Sequence, residues 1–269
     1  MNDMAYLSGT ERVKTWLDGP VLHVRFNNPQ KHNALSVDMW EAVPALLDKA
    51  AKDDNVRMVV LSGEGGKSFV SGADISQFED MRAAKEAVKR YEALAEAALQ
   101  GLYEFEKPTL ACIRGYCIGG GVNVAISCDI RIASSDSVFS IPATRLGLGY
   151  RYSAMKNLTD LVGPGHAKDM FFTARRLDAA EALRIGLVNR MAEPEGLEAL
   201  LAEYTAAITT GAPLTIKAGK RIIQEVSKLP ADFDAEICRR LILDCFESED
   251  YIEGRRAFME KRKPVFKGK

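Results

Sequence analysis

The residues best placed for chemistry form a glycine-rich run, RGYCIGGGVNVA, at positions 114–125. An apolar run at 108–113 predicts a buried strand before it, and the small apolar residues 122–127 predict the start of a buried helix. Consecutive glycines expose backbone amides at this point, because glycine accepts positive φ and has no Cβ. The helix start adds unpaired N–H groups and the positive end of its dipole. The run therefore predicts a site for developing negative charge, although a tight strand–helix crossing without a ligand could use the same residues.

A second turn of small residues, FVSGADI at positions 69–75, follows another short predicted strand. Its Asp74 is a candidate catalytic carboxylate, although an aspartate beside glycine and alanine more often caps a turn or a helix. Two other glycine-rich segments lack nucleotide-binding motifs. Segment 63–68 misses the first glycine of a phosphate-binding loop, and segment 146–152 misses the third glycine of a dinucleotide fingerprint.

The composition is that of an ordinary globular protein. The 269 residues are 47% hydrophobic and 27% charged, with a net charge of −1, which gives no reason to expect nucleic acid or a membrane as a partner. No segment reaches the ~20 apolar residues of a membrane span, and the N-terminus lacks the apolar core of a signal peptide. Five cysteines without a CxxC spacing predict free thiols, a cytoplasmic location and no structural metal.

Strands and helices that alternate along the first two thirds of the chain must position these turns. Alternating apolar residues at 13–26 and a buried run at 57–62 predict strands, and a helix that Ser36 could cap lies between them. This order predicts a βαβ unit with a parallel sheet. The further elements predicted in this part are a helix at 81–103 and strands at 108–113, 129–133 and 137–141.

From Ser153 almost to its end, the chain is predicted to be helical. Asp178 and Glu181 have the spacing of a capping box at a helix start. The later predicted helices span 213–228, 232–246 and 252–263. The change near residue 195 predicts a core, 1–195, that carries the site and a helical C-terminal region, 196–269.

Together, the turns at 69–75 and 114–125 resemble those of the crotonase, or enoyl-CoA hydratase/isomerase, superfamily. The similarity begins at Asn27 and ends with the segment 260–263. It implies an α/β fold, the crotonase (ClpP-like) spiral of repeated ββα units, with a helical C-terminal trimerisation region and usually a hexamer of two trimers. It also implies a CoA thioester as substrate, with no metal and no further cofactor.

Superfamily members hold the thioester oxygen with two backbone N–H groups as it becomes an enolate. By resemblance, these groups belong to Ala73 and Gly120. The resemblance also implies that Phe246 and Lys261 lie near the adenine and phosphates of CoA, in the same or a neighbouring subunit. The residues predicted to contact CoA are Lys31, Ser71, Asp74, Phe246 and Lys261.

The sequence departs from the hydratases of the superfamily at two positions. These enzymes use two glutamates to position and deprotonate water, and the corresponding residues here are Asn123 and Ala143. Neither an amide nor a methyl group can act as a general base, although Asn123 could hold a water or a substrate carboxylate. The carboxylate of the dienoyl-CoA isomerases is replaced as well, by Arg151.

Tyr150 is the remaining candidate for a catalytic side chain. The turn that begins at Gly147 resembles the LGxxY turn of acyl-CoA decarboxylases of the methylmalonyl-CoA type, whose reaction needs an enolate site but no base. A histidine that some of those enzymes carry in the first turn is replaced by Ala73. A packed aromatic residue is the alternative for Tyr150. Arg145 and Arg151 could bind a substrate carboxylate or could form surface ion pairs.

The sequence therefore predicts an enzyme that acts on a short acyl-CoA through an enolate, with decarboxylase or other lyase chemistry favoured. One alternative is an atypical enoyl-CoA hydratase or isomerase that uses Asp74 or a water held by Asn123. Another is a CoA-binding protein without catalytic activity. The predicted partners are an acyl-CoA and further copies of the chain, as a homotrimer or homohexamer.

Overall fold

Two β-sheets organise the computed structural model, which describes residues 6–74, 85–228 and 230–269. The strands are β1 (Val13–Asp18), β2 (Val21–Phe26), β3 (Met58–Gly63), β4 (Ser68–Val70), β5 (Thr109–Ile113), β6 (Tyr116–Ile118), β7 (Ile130–Ser134), β8 (Val138–Ser140), β9 (Leu177–Asp178) and β10 (Arg190–Ala192). The larger sheet has the order β1-β2-β3-β5-β7-β10, and the smaller has the order β4-β6-β8-β9. Apart from the β1–β2 and β8–β9 pairs, neighbouring strands are parallel.

Helices cover both faces of the larger sheet and complete the fold. They are α1 (Val37–Lys52), α2 (Lys85–Glu104), α3 (Gly120–Ser127), α4 (Ala143–Leu146), α5 (Tyr152–Thr173), α6 (Ala179–Arg184), α7 (Leu197–Thr209), α8 (Pro213–Val226), α9 (Ala235–Glu247) and α10 (Glu249–Glu260). Short 3-10 turns occupy Pro29–Lys31, Pro194–Gly196 and Pro230–Asp232. In the described ranges, no helix is long and apolar enough to cross a membrane.

Strand β3 shows why its sequence is apolar without alternation. Val59 and Leu61 belong to the main core, whereas Met58 and Val60 belong to a second core beneath Leu197 of α7. A parallel strand that is covered on both faces needs apolar side chains at every position. The buried run predicted at 57–62 is therefore confirmed as a central strand.

The chain crosses repeatedly from the larger sheet to the smaller one and returns through a helix. Strand β3 leads to β4, β5 leads to β6 and α3, and β7 leads to β8 and α4. These repeats are the predicted spiral of ββα units. Gly115, at φ 67°, makes one crossing, where a Cβ would lie 2.1 Å from the Lys67 carbonyl oxygen. A side chain at position 115 would block the close approach of β6 to β4.

Three short strands correct the predicted elements. The strand at 109–113 does not run directly into the glycines, because β6 lies between them in the other sheet. The chain beyond Ser153 is not wholly helical, since β9 pairs with β8 and β10 pairs with β7. Strands of two or three residues are too short to show a period and form because a neighbouring strand is already in place.

The predicted helices of the last third are present with small changes in their bounds. The Asp178 carboxylate caps α6 by accepting from the Glu181 N–H at 2.7 Å, as the capping spacing predicts. Helix α10 begins at Glu249, three residues before the predicted start, because the Ser248 hydroxyl accepts from the Tyr251 N–H. The helix predicted at 81–103 is described from Lys85, and residues 81–84 lie outside the described ranges.

Candidate active site

The two glycine-containing turns lie against each other, as the predicted thioester-oxygen site would require. A Cβ on Gly120 would lie 3.6 Å from the Gly72 Cα, and one on Gly72 would lie 4.0 Å from the Gly120 nitrogen. Leu35 fixes the first turn, because its N–H donates to the Gly72 carbonyl at 2.7 Å and its carbonyl accepts from the Asp74 N–H at 2.8 Å. In extended backbone, alternate N–H groups point to opposite sides, so the Ala73 N–H faces away from Leu35.

Local geometry explains the glycines of the second turn. Gly119 precedes α3 at φ 55° and ψ −111°, a conformation that favours glycine. Gly121 packs so closely that a Cβ would lie 2.1 Å from the Val70 carbonyl oxygen. Gly120 is the first residue of α3, where N–H groups have no acceptor within the helix. Among the described residues, neither the Ala73 nor the Gly120 N–H donates to a protein acceptor.

Tyr150 and Asn123 meet beside the second turn. Asn123 lies one helical turn after Gly120 on α3, and its side-chain amide is close enough to the Tyr150 hydroxyl to oppose a rise in the tyrosine pKa. Burial dominates and raises the pKa of Tyr150 to about 12. The ring packs edge-on against Phe171, with centroids 5.4 Å apart. The hydroxyl is therefore protonated at neutral pH and can act as a hydrogen-bond or proton donor.

Three of the predicted CoA-contacting residues converge at the first turn. The Lys31 ammonium lies 3.1 and 3.0 Å from the two carboxylate oxygens of Asp74, which is only 4% exposed. The Ser71 hydroxyl donates to the Lys31 carbonyl at 3.3 Å. This arrangement places a partly exposed cation beside Asp74, the residue after Ala73, although Lys31 and Asp74 are 43 positions apart in the sequence.

Comparisons with known proteins show the family to which this chain belongs. The model of the enoyl-CoA hydratase/isomerase family matches residues 18–269. The chain belongs to the enoyl-CoA hydratase/isomerase family. It is 37% identical to the short-chain-enoyl-CoA hydratase of Clostridium acetobutylicum over 246 residues, 91% of this chain and 94% of that protein. It is 31% identical to the carnitinyl-CoA dehydratase of Citrobacter koseri over 255 residues, 93% and 96% of the two chains.

A solved structure carries the same fold. The enoyl-CoA hydratase/carnitine racemase from Magnetospirillum magneticum matches with a TM-score of 0.91 at 31% sequence identity, over 97% of each chain. The predicted superfamily and its spiral fold are therefore confirmed. As a family member, this chain is an acyl-CoA enzyme of the hydratase/isomerase type.

Asn123 and Ala143, which the resemblance places at the positions of the two hydratase glutamates, lie near the turns and carry no carboxylate. Ala143 is the first residue of α4 and is 2% exposed. It follows Pro142, whose Cδ would lie 3.9 Å from a Cβ on Gly119. Position 123 contributes an amide. If the resemblance holds at these positions, the site lacks both acidic side chains of a hydratase, and the nearby polar groups are the turn N–H groups and the Tyr150 hydroxyl.

Two predicted CoA contacts lie elsewhere in the chain. Phe246, on α9, is 57% exposed and meets the Tyr251 ring edge-on, with centroids 5.2 Å apart. Lys261 ends α10 in the left-handed region, at φ 53°. In the part of the chain that the structure describes, no hydrogen bond or ion pair connects either residue with the two turns. Their predicted contact with CoA stays a prediction.

The two arginines that flank Tyr150 in the sequence differ in their contacts. Arg151 pairs with Glu92 and, at 3.0 Å from its Nε, with Glu96, both on α2. Of the two alternatives for Arg151, a substrate-carboxylate contact or an ion pair within the protein, the structure therefore shows the ion pair. Arg145 lies on the exposed part of α4.

One aromatic residue near the site was missed by sequence reasoning. Tyr91 is 7% exposed, its ring meets the Trp40 ring edge-on at 6.4 Å, and the Asp74 charge acts on its hydroxyl. Burial raises the pKa of Tyr91 to about 12. Tyr91, Ala95 and Ala98 are all buried and have the spacing of one helix face. This spacing is the signal in the sequence that could have placed Tyr91 on the buried face of α2.

Proposed function

We propose that this chain binds a short acyl-CoA and polarises its thioester carbonyl between the Ala73 and Gly120 N–H groups, so that an enolate forms. The observation that carries the proposal is the pair of adjacent backbone donors without a protein acceptor in the described residues. One donor of this kind typically contributes about 10²- to 10³-fold in rate. The enolate is the common intermediate of addition, elimination and decarboxylation next to a thioester.

For the reaction itself, we propose an atypical hydratase- or isomerase-type conversion of an enoyl-CoA. The similarity to a hydratase and a dehydratase favours this chemistry over the decarboxylase that the Tyr150 turn suggests. Without glutamates at positions 123 and 143, Asn123 orients the water that attacks the β-carbon, and Tyr150 donates a proton to the α-carbon. The attacking water releases its proton to solvent, and solvent reprotonates the Tyr150 phenolate. A missing general base typically lowers a rate by about 10²- to 10⁴-fold, so we expect slow turnover of simple substrates.

Decarboxylation is the second candidate, and the missing carboxylates favour it. When a malonyl-type thioester loses CO₂, the electrons of the broken C–C bond enter the enolate that Ala73 and Gly120 hold. Tyr150 then donates a proton to the α-carbon, and solvent reprotonates the phenolate. No group has to remove a proton from the substrate, which suits a site with an amide at 123 and a methyl at 143.

Mass spectrometry of acyl-CoA mixtures distinguishes these reactions. The panel holds crotonyl-, 3-hydroxybutyryl-, malonyl- and methylmalonyl-CoA. Gain or loss of one water supports the first candidate, and loss of CO₂ supports the second. Thioesters that bind but return unchanged would contradict both and support the CoA-binding protein without catalysis.

We further propose that Lys31, Ser71 and Asp74 line the CoA side of this site, and that region 196–269 forms the interface of a homotrimer or homohexamer. Large apolar side chains exposed on the C-terminal helices support such an interface, including Ile223 at 68% and Phe258 at 83% exposure. Light scattering of the purified protein tests this, and a monomer would contradict it. Five free thiols support a cytoplasmic location.

A further inference from the structure

The side-chain amide of Asn123 contains a buried oxygen atom that the described groups of the active site do not pair with. Its Oδ1 is buried and has no hydrogen-bond partner among the described residues. Buried carbonyl oxygens are nearly always paired with a protein group or an ordered water. The same side-chain amide lies close to the Tyr150 hydroxyl. Whatever pairs with Oδ1 therefore also sets the orientation of the group beside Tyr150.

A small polar cavity lies behind this amide, where α2, α3 and α5 meet. Its volume is about 10 Å³, measured as space open to the centre of a water-sized sphere, and its polar lining is Asn123, Ser127, Ser153, Asn157 and Gln100. A cavity of roughly 10–15 Å³ on this measure holds one water, provided that two to four polar partners surround it. The volume of this cavity is at the lower end of that range, and five polar side chains line it.

The hydrogen-bond directions of Ser153 indicate how such a water would be held. The Ser153 hydroxyl donates its hydrogen to Glu96 Oε1 at 2.8 Å, and Glu96 Oε2 lies 3.0 Å from Arg151 Nε. A hydroxyl has one hydrogen, so the Ser153 oxygen can only accept from the cavity. The Ser127 hydroxyl and the Asn157 amide, which also line the cavity, carry hydrogens that could be donated to the water oxygen. A water held in this way points its own hydrogens at Ser153 and at Asn123.

We propose that one water occupies this cavity and donates to Asn123 Oδ1, so that the amide nitrogen faces Tyr150 and leaves the phenolic proton for the substrate. In the reverse orientation, the amide oxygen would accept that proton in a hydrogen bond, and Tyr150 would be occupied. Ser153, anchored by Glu96, is then a positioning residue that acts through the water and Asn123. The kinetic consequence rests on the proposed function, whereas the water itself does not.

Substitutions at Ser153 test the positioning role. Ser153→Ala removes an acceptor of the water, and we expect kcat to fall roughly five- to ten-fold with KM unchanged, the equivalent of one or two lost hydrogen bonds. Ser153→Thr keeps the hydroxyl and should restore kcat. Ser137→Ala is the matched control, because Ser137 is a buried serine that bonds the Ile113 carbonyl outside the cavity. A loss of kcat in Ser153→Ala no larger than in Ser137→Ala would overturn the proposal.

A crystal structure at atomic resolution, about 1.2 Å or better, shows ordered waters and distinguishes the amide oxygen of Asn123 from its nitrogen, so it provides the independent readout. We expect one water within hydrogen-bond distance of Asn123 Oδ1, and its loss in Ser127→Val, which fills the cavity with a methyl group. A dry cavity, or an Asn123 amide with its oxygen towards Tyr150, would overturn the proposal. If no thioester is turned over, the proposed function fails, and the crystal structure still decides whether the water and the amide orientation are as proposed.

Discussion

Removal of the hydroxyl oxygen of Tyr150 tests whether this residue takes part in catalysis or only packs as an aromatic ring. Tyr150→Phe keeps the edge-on contact with Phe171 and removes only the hydroxyl that meets Asn123. Loss of a proton donor typically costs about 10²- to 10⁴-fold in rate, or roughly 3–5 kcal/mol of transition-state stabilisation. Loss of the contact with Asn123 costs only about 1 kcal/mol of folding free energy. We therefore expect a large decrease in kcat with a nearly unchanged melting temperature.

Tyr152→Phe is the matched control for this substitution. Tyr152 lies two residues away and is 78% exposed, so loss of its hydroxyl should leave kcat and stability unchanged. The assay measures initial rates on the acyl-CoA that the panel identifies. If Tyr150→Phe lowers kcat no more than Tyr152→Phe, Tyr150 is a packing residue and the assignment of the proton donor is wrong.

The pH profile gives a second test of Tyr150. Because the folded-state pKa of Tyr150 is raised to about 12, the donor form is complete at all lower pH values and is lost only as pH rises through that value. We expect no basic limb from this hydroxyl between about pH 6 and about pH 9. A decrease in kcat within this range that disappears in Tyr150→Phe would contradict the buried, neutral hydroxyl.

Three further predictions address the turns, the missing glutamates and the thiols. Gly121→Ala should lower the melting temperature by roughly 5–10 °C, because the new Cβ would lie 2.1 Å from the Val70 carbonyl oxygen. Gly149→Ala is the control and should leave the melting temperature unchanged, because no atom lies within 4 Å of its Cβ. Equal melting temperatures for the two variants would contradict the close packing of Gly121. Asn123→Glu combined with Ala143→Glu should raise crotonyl-CoA hydration by about 10²-fold, and no gain in a folded variant would show that the lost carboxylates do not limit hydration. Burial raises the pKa of Cys112 and Cys128 to about 12, so these thiols should not react with iodoacetamide in the native protein. Mass spectrometry should show label on the half-buried Cys238 and Cys245 in the native protein and on all five cysteines only after unfolding.

The two turns were predictable because their glycines are required locally. Gly119 needs its positive φ and Gly121 needs its close approach to Val70, so these residue types mark the turn in the sequence itself. Apolar runs such as 57–62 were predictable for a similar reason, since burial on both faces leaves a continuous signal.

Other parts of the site depend on contacts between distant segments and leave no local signal. Strands β6, β9 and β10 have two or three residues each and exist because a partner strand is present. The cavity behind Asn123 is formed by side chains from three helices, so neither Ser153 nor Asn157 could be connected with the site from spacing alone. The Lys31–Asp74 ion pair joins residues 43 positions apart.

Carbonyl spectroscopy measures directly whether the Ala73 and Gly120 N–H groups polarise a bound thioester carbonyl. Butyryl-CoA labelled with ¹³C at the thioester carbonyl lacks the double bond and serves as a bound ligand that needs no turnover. We predict that its carbonyl resonance moves downfield and its C=O stretching frequency falls when it binds. A bound thioester whose resonance and stretching frequency equal those in water would contradict the account, because the two donors would then not contact the carbonyl oxygen.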